Sequence, residues 1–245
     1  MIVVVPVDPP RDGLVLSSLA AQTPLSPADA RRLYEASTKD VLRTVASSGA
    51  DVLVNYRDEE TLPDEHADGN AEADVRALAV DALGEAPRLE RQVGSTRSAR
   101  VGNTVTHLLK REDAASVGVL EPTATLVSRT QIDGVAMSLR RKDVTLGPST
   151  GGSVYLAGFS EPIDFTDVYA APELPSLARR AEEGGLEVGL SPAVPTIATE
   201  AGLCETIAGL EARRTTPLVV PEATAEILED LGLAVEEGPV LTRGE

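Results

Sequence analysis

Residues 143–159, Asp-Val-Thr-Leu-Gly-Pro-Ser-Thr-Gly-Gly-Ser-Val-Tyr-Leu-Ala-Gly-Phe, form the densest group of residues able to meet a ligand closely. Ser149 and Thr150 offer hydroxyls and backbone amides without net charge, and Gly151 and Gly152 let the backbone approach a phosphate or a sugar. The same run also reads as an ordinary hairpin, with strands at Asp143 to Leu146 and Val154 to Phe159 and a turn punctuated by Gly147, Pro148, Gly151 and Gly152. Other reactive residues are scattered. Asp8 follows an apolar strand, and Arg11 is the one basic residue of the loop after it; each reads either as a ligand contact or as a solvated loop residue. Glu121 stands at the end of a second apolar strand, next to Pro122. His66 and His107 have no cysteine or second histidine at metal-ligand spacing. Cys204 is the chain's one cysteine and reads as a buried structural thiol.

The elements that must position these residues alternate in type. Ile2 to Val7 is a buried-type strand, followed by a loop over Asp8 to Leu25. Ser26-Pro27-Ala28-Asp29 has an N-cap serine, a proline at the first helical position and an acid in the first turn, and apolar residues then recur at helical spacing to Val45. The pattern predicts strands at Asp51–Tyr56, Arg88–Val93, Val117–Leu120 and Leu186–Leu190. It predicts helices at Ala71–Leu83, Ser98–Arg111, Ser128–Leu139, Pro172–Glu183 and Glu200–Leu210, with an acidic surface loop over 57–70. The tail adds a strand at Leu218–Val220, a helix at Glu222–Leu231 and a strand at Ala234–Val235. Such alternation implies an α/β three-layer sandwich: a mostly parallel sheet, mixed at the 143–159 hairpin, covered on both faces. Ligands of such sheets sit at the carboxyl ends of the strands, so Asp8, Arg11 and Glu121 are expected to share a cleft with the glycine turn.

Composition narrows the partners. The 245 residues are 42% hydrophobic, with no Trp and two Phe, and carry a net charge of −17. Lys39, Lys110 and Lys142 are the three lysines. Excess acid with scarce lysine fits a protein adapted to high salt, where an acidic surface holds water and ions screen its self-repulsion. A merely acidic protein of ordinary salt is the alternative. Nucleic acid is not expected as a partner, because phosphate neutralisation needs a basic stripe and the short Arg31-Arg32 and Arg140-Arg141-Lys142 runs sit beside acids. No run of 18 apolar residues suggests a membrane span, and Met1 leads directly into an apolar strand without a basic leader, so a cytoplasmic location is expected. Oligomeric state is open.

The order of these pieces resembles the nucleotide-diphospho-sugar transferase (glycosyltransferase-A-like) superfamily. Within it the chain resembles an uncharacterised glycosyltransferase-like branch related to the 2-phospho-lactate guanylyltransferases and the molybdenum-cofactor nucleotidyltransferases. The resemblance spans about residues 1–210, leaving 211–245 as a C-terminal strand–helix extension expected to pack on the same domain. It rests on Leu146-Gly147-Pro148-Ser149-Thr150-Gly151-Gly152 with Tyr155-Leu156, on Leu25-Ser26-Pro27 through Leu33-Tyr34, and on Pro172-Glu173-Leu174 with the helix to Ala181. It implies a transferase, glycosyl or nucleotidyl, that uses a nucleotide or nucleotide sugar, with Mg²⁺ or Mn²⁺ held by carboxylates.

The departures bear on that chemistry. After Gly13 the family carries a basic, phosphate-contacting run, where this chain has Leu14-Val15-Leu16-Ser17-Ser18-Leu19. Pro122 stands where the family has its metal-holding Asp, and Glu121, the nearest carboxylate, is the candidate to hold the metal in its place, its longer stem reaching from one residue earlier. Gly151 stands where the family's turn has an Asp, and Thr196-Ile197-Ala198 replaces a late Asp-x-Asp. Phosphate transfer needs that charge neutralised. Two classes of function therefore remain: a nucleotide-dependent transferase, and a non-catalytic descendant that binds a nucleotide, a sugar or a protein.

Overall fold

The computed structural model describes residues 1–170, 172–235 and 241–243. Strand β1 (Ile2–Val7) is followed by a short helix α1 (Ser17–Gln22) and the long α2 (Pro27–Ala46). Next come β2 (Asp51–Tyr56), α3 (Ala71–Leu83), β3 (Arg88–Arg91), α4 (Arg97–Arg111), β4 (Val117–Leu120) and α5 (Arg129–Ser138). The hairpin strands are β5 (Val144–Pro148) and β6 (Val154–Phe159), and α6 (Glu173–Glu183), β7 (Val188–Leu190), α7 (Glu200–Arg214) and α8 (Glu222–Asp230) follow. Strands β8 (Leu233–Val235) and β9 (Leu241–Arg243) form a separate two-stranded ribbon.

The main sheet has seven strands in the order β3-β2-β1-β4-β6-β5-β7. Pairs β1–β2, β1–β4, β2–β3 and β5–β7 are parallel, whereas β6 runs antiparallel to both β4 and β5. The sequence-based reading of a mostly parallel sheet made mixed by the 143–159 hairpin therefore holds. Strand alternation sends Val3, Val5 and Val7 to one face and Val4 to the other. On the first face they meet Leu33 and Val41 of α2, Val75 of α3, Ile132 of α5 and Leu203 of α7. On the second, Val101 and Val105 of α4 and Leu177 of α6 close the core. This is a three-layer α/β sandwich.

The expected start of α2 is present in detail. Ser26 accepts from the Asp29 backbone N–H, and the Asp29 carboxylate accepts in return from the Ser26 N–H. Helix α8 packs on α2, and a buried side chain of α2 holds its first turn: Asp40 accepts from the Thr224 N–H and from the Thr224 hydroxyl, both at 2.7 Å. Residues 236–240, 244 and 245 of the tail lie outside the described residues. Among the described residues, no helix is long and apolar enough to cross a membrane.

Two expectations are corrected. The loop predicted over residues 8–25 contains α1, entered through Leu16 in the left-handed region at φ 49° and anchored by buried Leu19. Six residues are too few for a helical period to show. Leu218–Val220 forms no strand: Pro217 and Pro221 bracket it, and Leu218 and Val219 are 61% and 83% exposed. Its β-branched character finds no sheet edge to join.

Candidate functional site

Along the sheet, the chain moves from β1 outward through β2 and β3, then returns to the other side of β1 with β4. The strand order reverses between β1 and β4, and a crevice opens outside their carboxyl ends. A cleft of ≈ 290 Å³ lies there, lined by Pro6 and Asp8 after β1, by Glu121, Pro122 and Thr123 after β4, and by Ala198 before α7. Leu14, Val15 and Leu16 form an apolar wall, and Tyr34, Gln92, Arg97 and Arg100 complete the lining.

Both predicted carboxylates face this cleft. The Asp8 backbone N–H donates to the Tyr34 hydroxyl at 3.0 Å, which fixes the chain as it leaves β1. The Asp8 carboxylate lies 3.8 Å from the Arg57 guanidinium. Burial pushes the Asp8 carboxyl above the usual carboxylate range, against the pull of Arg57 and Arg100. Glu121 accepts from Arg97 Nη2 at 2.5 Å. Burial raises its carboxyl too, with Arg97 opposing.

The cleft's cations were not legible as such in the sequence. Arg97 is the first residue of α4, after the N-cap Thr96, and Arg100 lies one turn on. The first turn of α4 has no acid, so two positive side chains sit at the positive end of a helix dipole. That is an electrostatically costly place for arginine, and at Arg97 the carboxylates of Glu121 and Glu173 offset the cost. The Arg97 guanidinium stacks over the Tyr169 ring at 4.8 Å and lies 3.8 Å from Glu173. Burial works against its charge, but Glu121 and Glu173 outweigh this and hold its pKa above the ordinary value. Arg100 is different. Its Nε donates to Gln92 Oε1 at 2.7 Å, and Gln92 is fixed in turn by donating to the Asn55 carbonyl. Burial and the charges of Arg57 and Arg97 push Arg100 below its usual value, with Asp8 pulling the other way. Three guanidiniums therefore converge on this end of the sheet, from the residue after β2 and from the start of α4.

The remaining predicted residues lie elsewhere. Arg11 does not enter the cleft: its guanidinium is bound to Asp74 at 2.8 Å and to the His66 carbonyl, with Glu59 at 3.4 Å, so it ties the loop after β1 to α3. The glycine turn does not line the cleft either. Gly151 and Gly152 have φ 73° and 80°, as the turn requires. Ser149 Oγ lies 3.4 Å from Thr196 Oγ1, and the Thr150 hydroxyl donates to Glu205 at 2.6 Å. The turn is linked to the cleft through neighbours: Thr196 lies two residues before Ala198, and Glu173 accepts from the Val154 N–H while facing Arg97. His107 faces Glu112 on the surface at 3.2 Å. Cys204 is buried in the core, where burial raises its thiol pKa.

In this structure the cleft carboxylates face arginines rather than the open cation position that a Mg²⁺ or Mn²⁺ site of the kind the resemblance implies would present. Such an ion needs carboxylate oxygens free to coordinate it. Glu121 Oε1 accepts from Arg97, and the Asp8 carboxylate lies 3.8 Å from Arg57. Among the described residues, no three His, Cys, Asp or Glu side chains gather to hold a metal.

No protein-family model matches the chain, and no curated protein matches it. Solved structures do. A Desulfovibrio desulfuricans G20 protein, assigned as a nucleotide-diphospho-sugar transferase, aligns over 94% of each chain with a TM-score of 0.73 and 18% identity. The chain has the nucleotide-diphospho-sugar transferase fold. A Methanothermobacter nucleotidyl transferase is similar to it with a TM-score of 0.52 and 16% identity, over 88% of this chain and 99% of the other. A cytidylyltransferase from Leptospira borgpetersenii has a TM-score of 0.51 and 10% identity, over 94% and 93%. At these identities the likeness is one of fold. On the nucleotide-diphospho-sugar transferase fold seen here, basic residues come from Arg57 and the start of α4, where the sequence had suggested that a basic loop was simply missing.

Proposed function

We propose that the protein is a nucleotide-dependent transferase, glycosyl or nucleotidyl, which binds the phosphates of its donor in the β1–β4 cleft. The observation that carries this reading is that Arg97 and Arg100 both line the cleft at the point where the strand order reverses, with Arg57 behind them, bound to the Thr61 carbonyl and 3.8 Å from Asp8. In either reaction a phosphate oxygen gains charge as its bond breaks, and preorganised guanidiniums stabilise that charge. Arg100 is the best placed for this, since its Nε is held by Gln92 while its terminal nitrogens make no hydrogen bond among the described residues. Asp8 is placed to accept from a ligand hydroxyl, and Leu14 and Leu16 give an apolar surface for a base or sugar ring. The volume, ≈ 290 Å³, lies just below the roughly 300–1,000 Å³ usual for ligand pockets. The similar solved structures include a nucleotidyl transferase and a cytidylyltransferase, which agrees with this donor class.

A second reading, a binding module without transfer chemistry, is favoured by the pairing of Glu121 with Arg97, which occupies the one carboxylate near the family's metal position.

A thermal-shift screen with ribonucleoside triphosphates and nucleotide sugars tests the site. A donor at about 100 times its dissociation constant adds about 2.7 kcal/mol of stability. At least one compound should raise the melting temperature of the wild type, and Arg100→Ala should abolish that rise. A shift unchanged in Arg100→Ala, or no shift with any compound, overturns the proposal.

A further inference from the structure

We propose that Glu121 is a built-in stand-in for the ligand's anionic oxygens: it holds Arg97 in the free protein and is displaced when a di- or triphosphate enters, so that arginine, without a divalent cation, neutralises the phosphates. The inference rests on the cleft reading above and assigns Glu121 a role opposite to that of a metal ligand.

The geometry supports this at three points. Glu121 Oε1 meets Arg97 Nη2 at 2.5 Å inside the cleft, so a carboxylate oxygen already occupies an anion position on that guanidinium. The guanidinium is held independently of this contact, by its stack on Tyr169 at 4.8 Å and by Glu173 at 3.8 Å. Arg97 would therefore keep its place when Glu121 leaves. Third, Arg100 has no carboxylate within ion-pairing distance among the described residues and faces two further guanidiniums, leaving positive charge beside the pair that an incoming phosphate can share. A phosphate presents several anionic oxygens to Arg97 and Arg100 together, whereas Glu121 reaches Arg97 alone. The price of that exchange is a carboxylate left without its partner, which limits affinity in the wild type.

The two roles for Glu121 predict opposite effects of one substitution. Titration calorimetry would use CTP, GTP and inorganic pyrophosphate at constant ionic strength, with EDTA and then with Mg²⁺. Glu121→Gln keeps the shape, removes the competing charge and should bind at least one of these probes about tenfold more tightly than wild type, the scale of one charge-assisted hydrogen bond released. The gain should survive EDTA and vanish when Arg97→Ala is added, as a double-mutant cycle requires of coupled residues. If Glu121→Gln does not fold, Glu121→Asp, whose shorter side chain reaches Arg97 less well, should show a smaller gain in the same direction, and no gain there would overturn the inference. Metal-dependent binding lost in Glu121→Gln would make Glu121 a metal ligand and overturn the inference while sparing the cleft. Unchanged affinity in Glu121→Gln would also overturn it. Absence of binding by wild type and variants alike would remove the cleft reading itself.

Discussion

Gly147 shows at the scale of one residue how the glycine-rich turn works. A Cβ built there would lie 2.4 Å from Cε1 of Tyr155, the buried ring facing it from β6. The glycine is thus needed for packing, and Gly151 and Gly152 are needed for positive φ. Gly147→Ala should destabilise the fold by about 1–3 kcal/mol, the usual cost of overpacking, while nucleotide affinity of the folded fraction stays near wild type. Urea unfolding and calorimetry on the same variant would check both, and a variant of wild-type stability would contradict this account of the turn. The sequence pointed to this stretch because its residue types are those of a binding loop, and those types serve turns equally well. Arg97 and Arg100 carried a weaker signal: two arginines three apart, in the first turn of a helix that has no acid there. Arg11 looked like the loop's free cation. Its partners, Asp74 and His66, are 63 and 55 residues away in sequence, and no local pattern reveals such a contact.

At the scale of elements, segments with clear ends or a continuous apolar run were legible, even where, as over Ala71–Leu83, the helical pattern itself was weak. Ala71–Leu83 and Val117–Leu120 match α3 and β4 residue for residue, because an N-capping Asn70 and a closing Gly84 bound the one and a continuous apolar run marks the other. What failed was short or ambiguous. Helix α1 depends on tertiary burial of Leu19, and Leu218–Val220 has strand-like side chains without an edge to pair with. The candidate site was half legible for a related reason. Asp8 and Glu121 each stand one residue beyond the end of a strand, so alternation and strand order predicted their meeting. Arg97 and Arg100 open the helix that follows a parallel strand, which places them at the same carboxyl end of the sheet, but no basic motif marks two arginines three apart as a site.

The whole molecule carries 39 acidic against 22 basic residues, so even full pairing of every cation would leave a net charge of −17. Surface ion pairs abound, as between Lys110 and Glu161 and between Lys142 and Glu187, but exposed pairs add little stability each. Self-repulsion of the excess acid opposes the compact state and is screened by salt. The melting temperature should therefore rise from low to molar KCl; a flat dependence would show that the charge is tolerated without screening. The same salt weakens phosphate binding at a half-exposed cleft, so stability and affinity should respond to KCl in opposite directions. The central claim is the position of the site, and hydrogen–deuterium exchange with a saturating nucleotide tests it most directly. Slowed exchange is predicted around residues 8–18, 92–101 and 121–123, with the glycine turn at 149–152 little changed. Protection centred on 149–152 and the facing part of α7, with 92–101 unaffected, would contradict it.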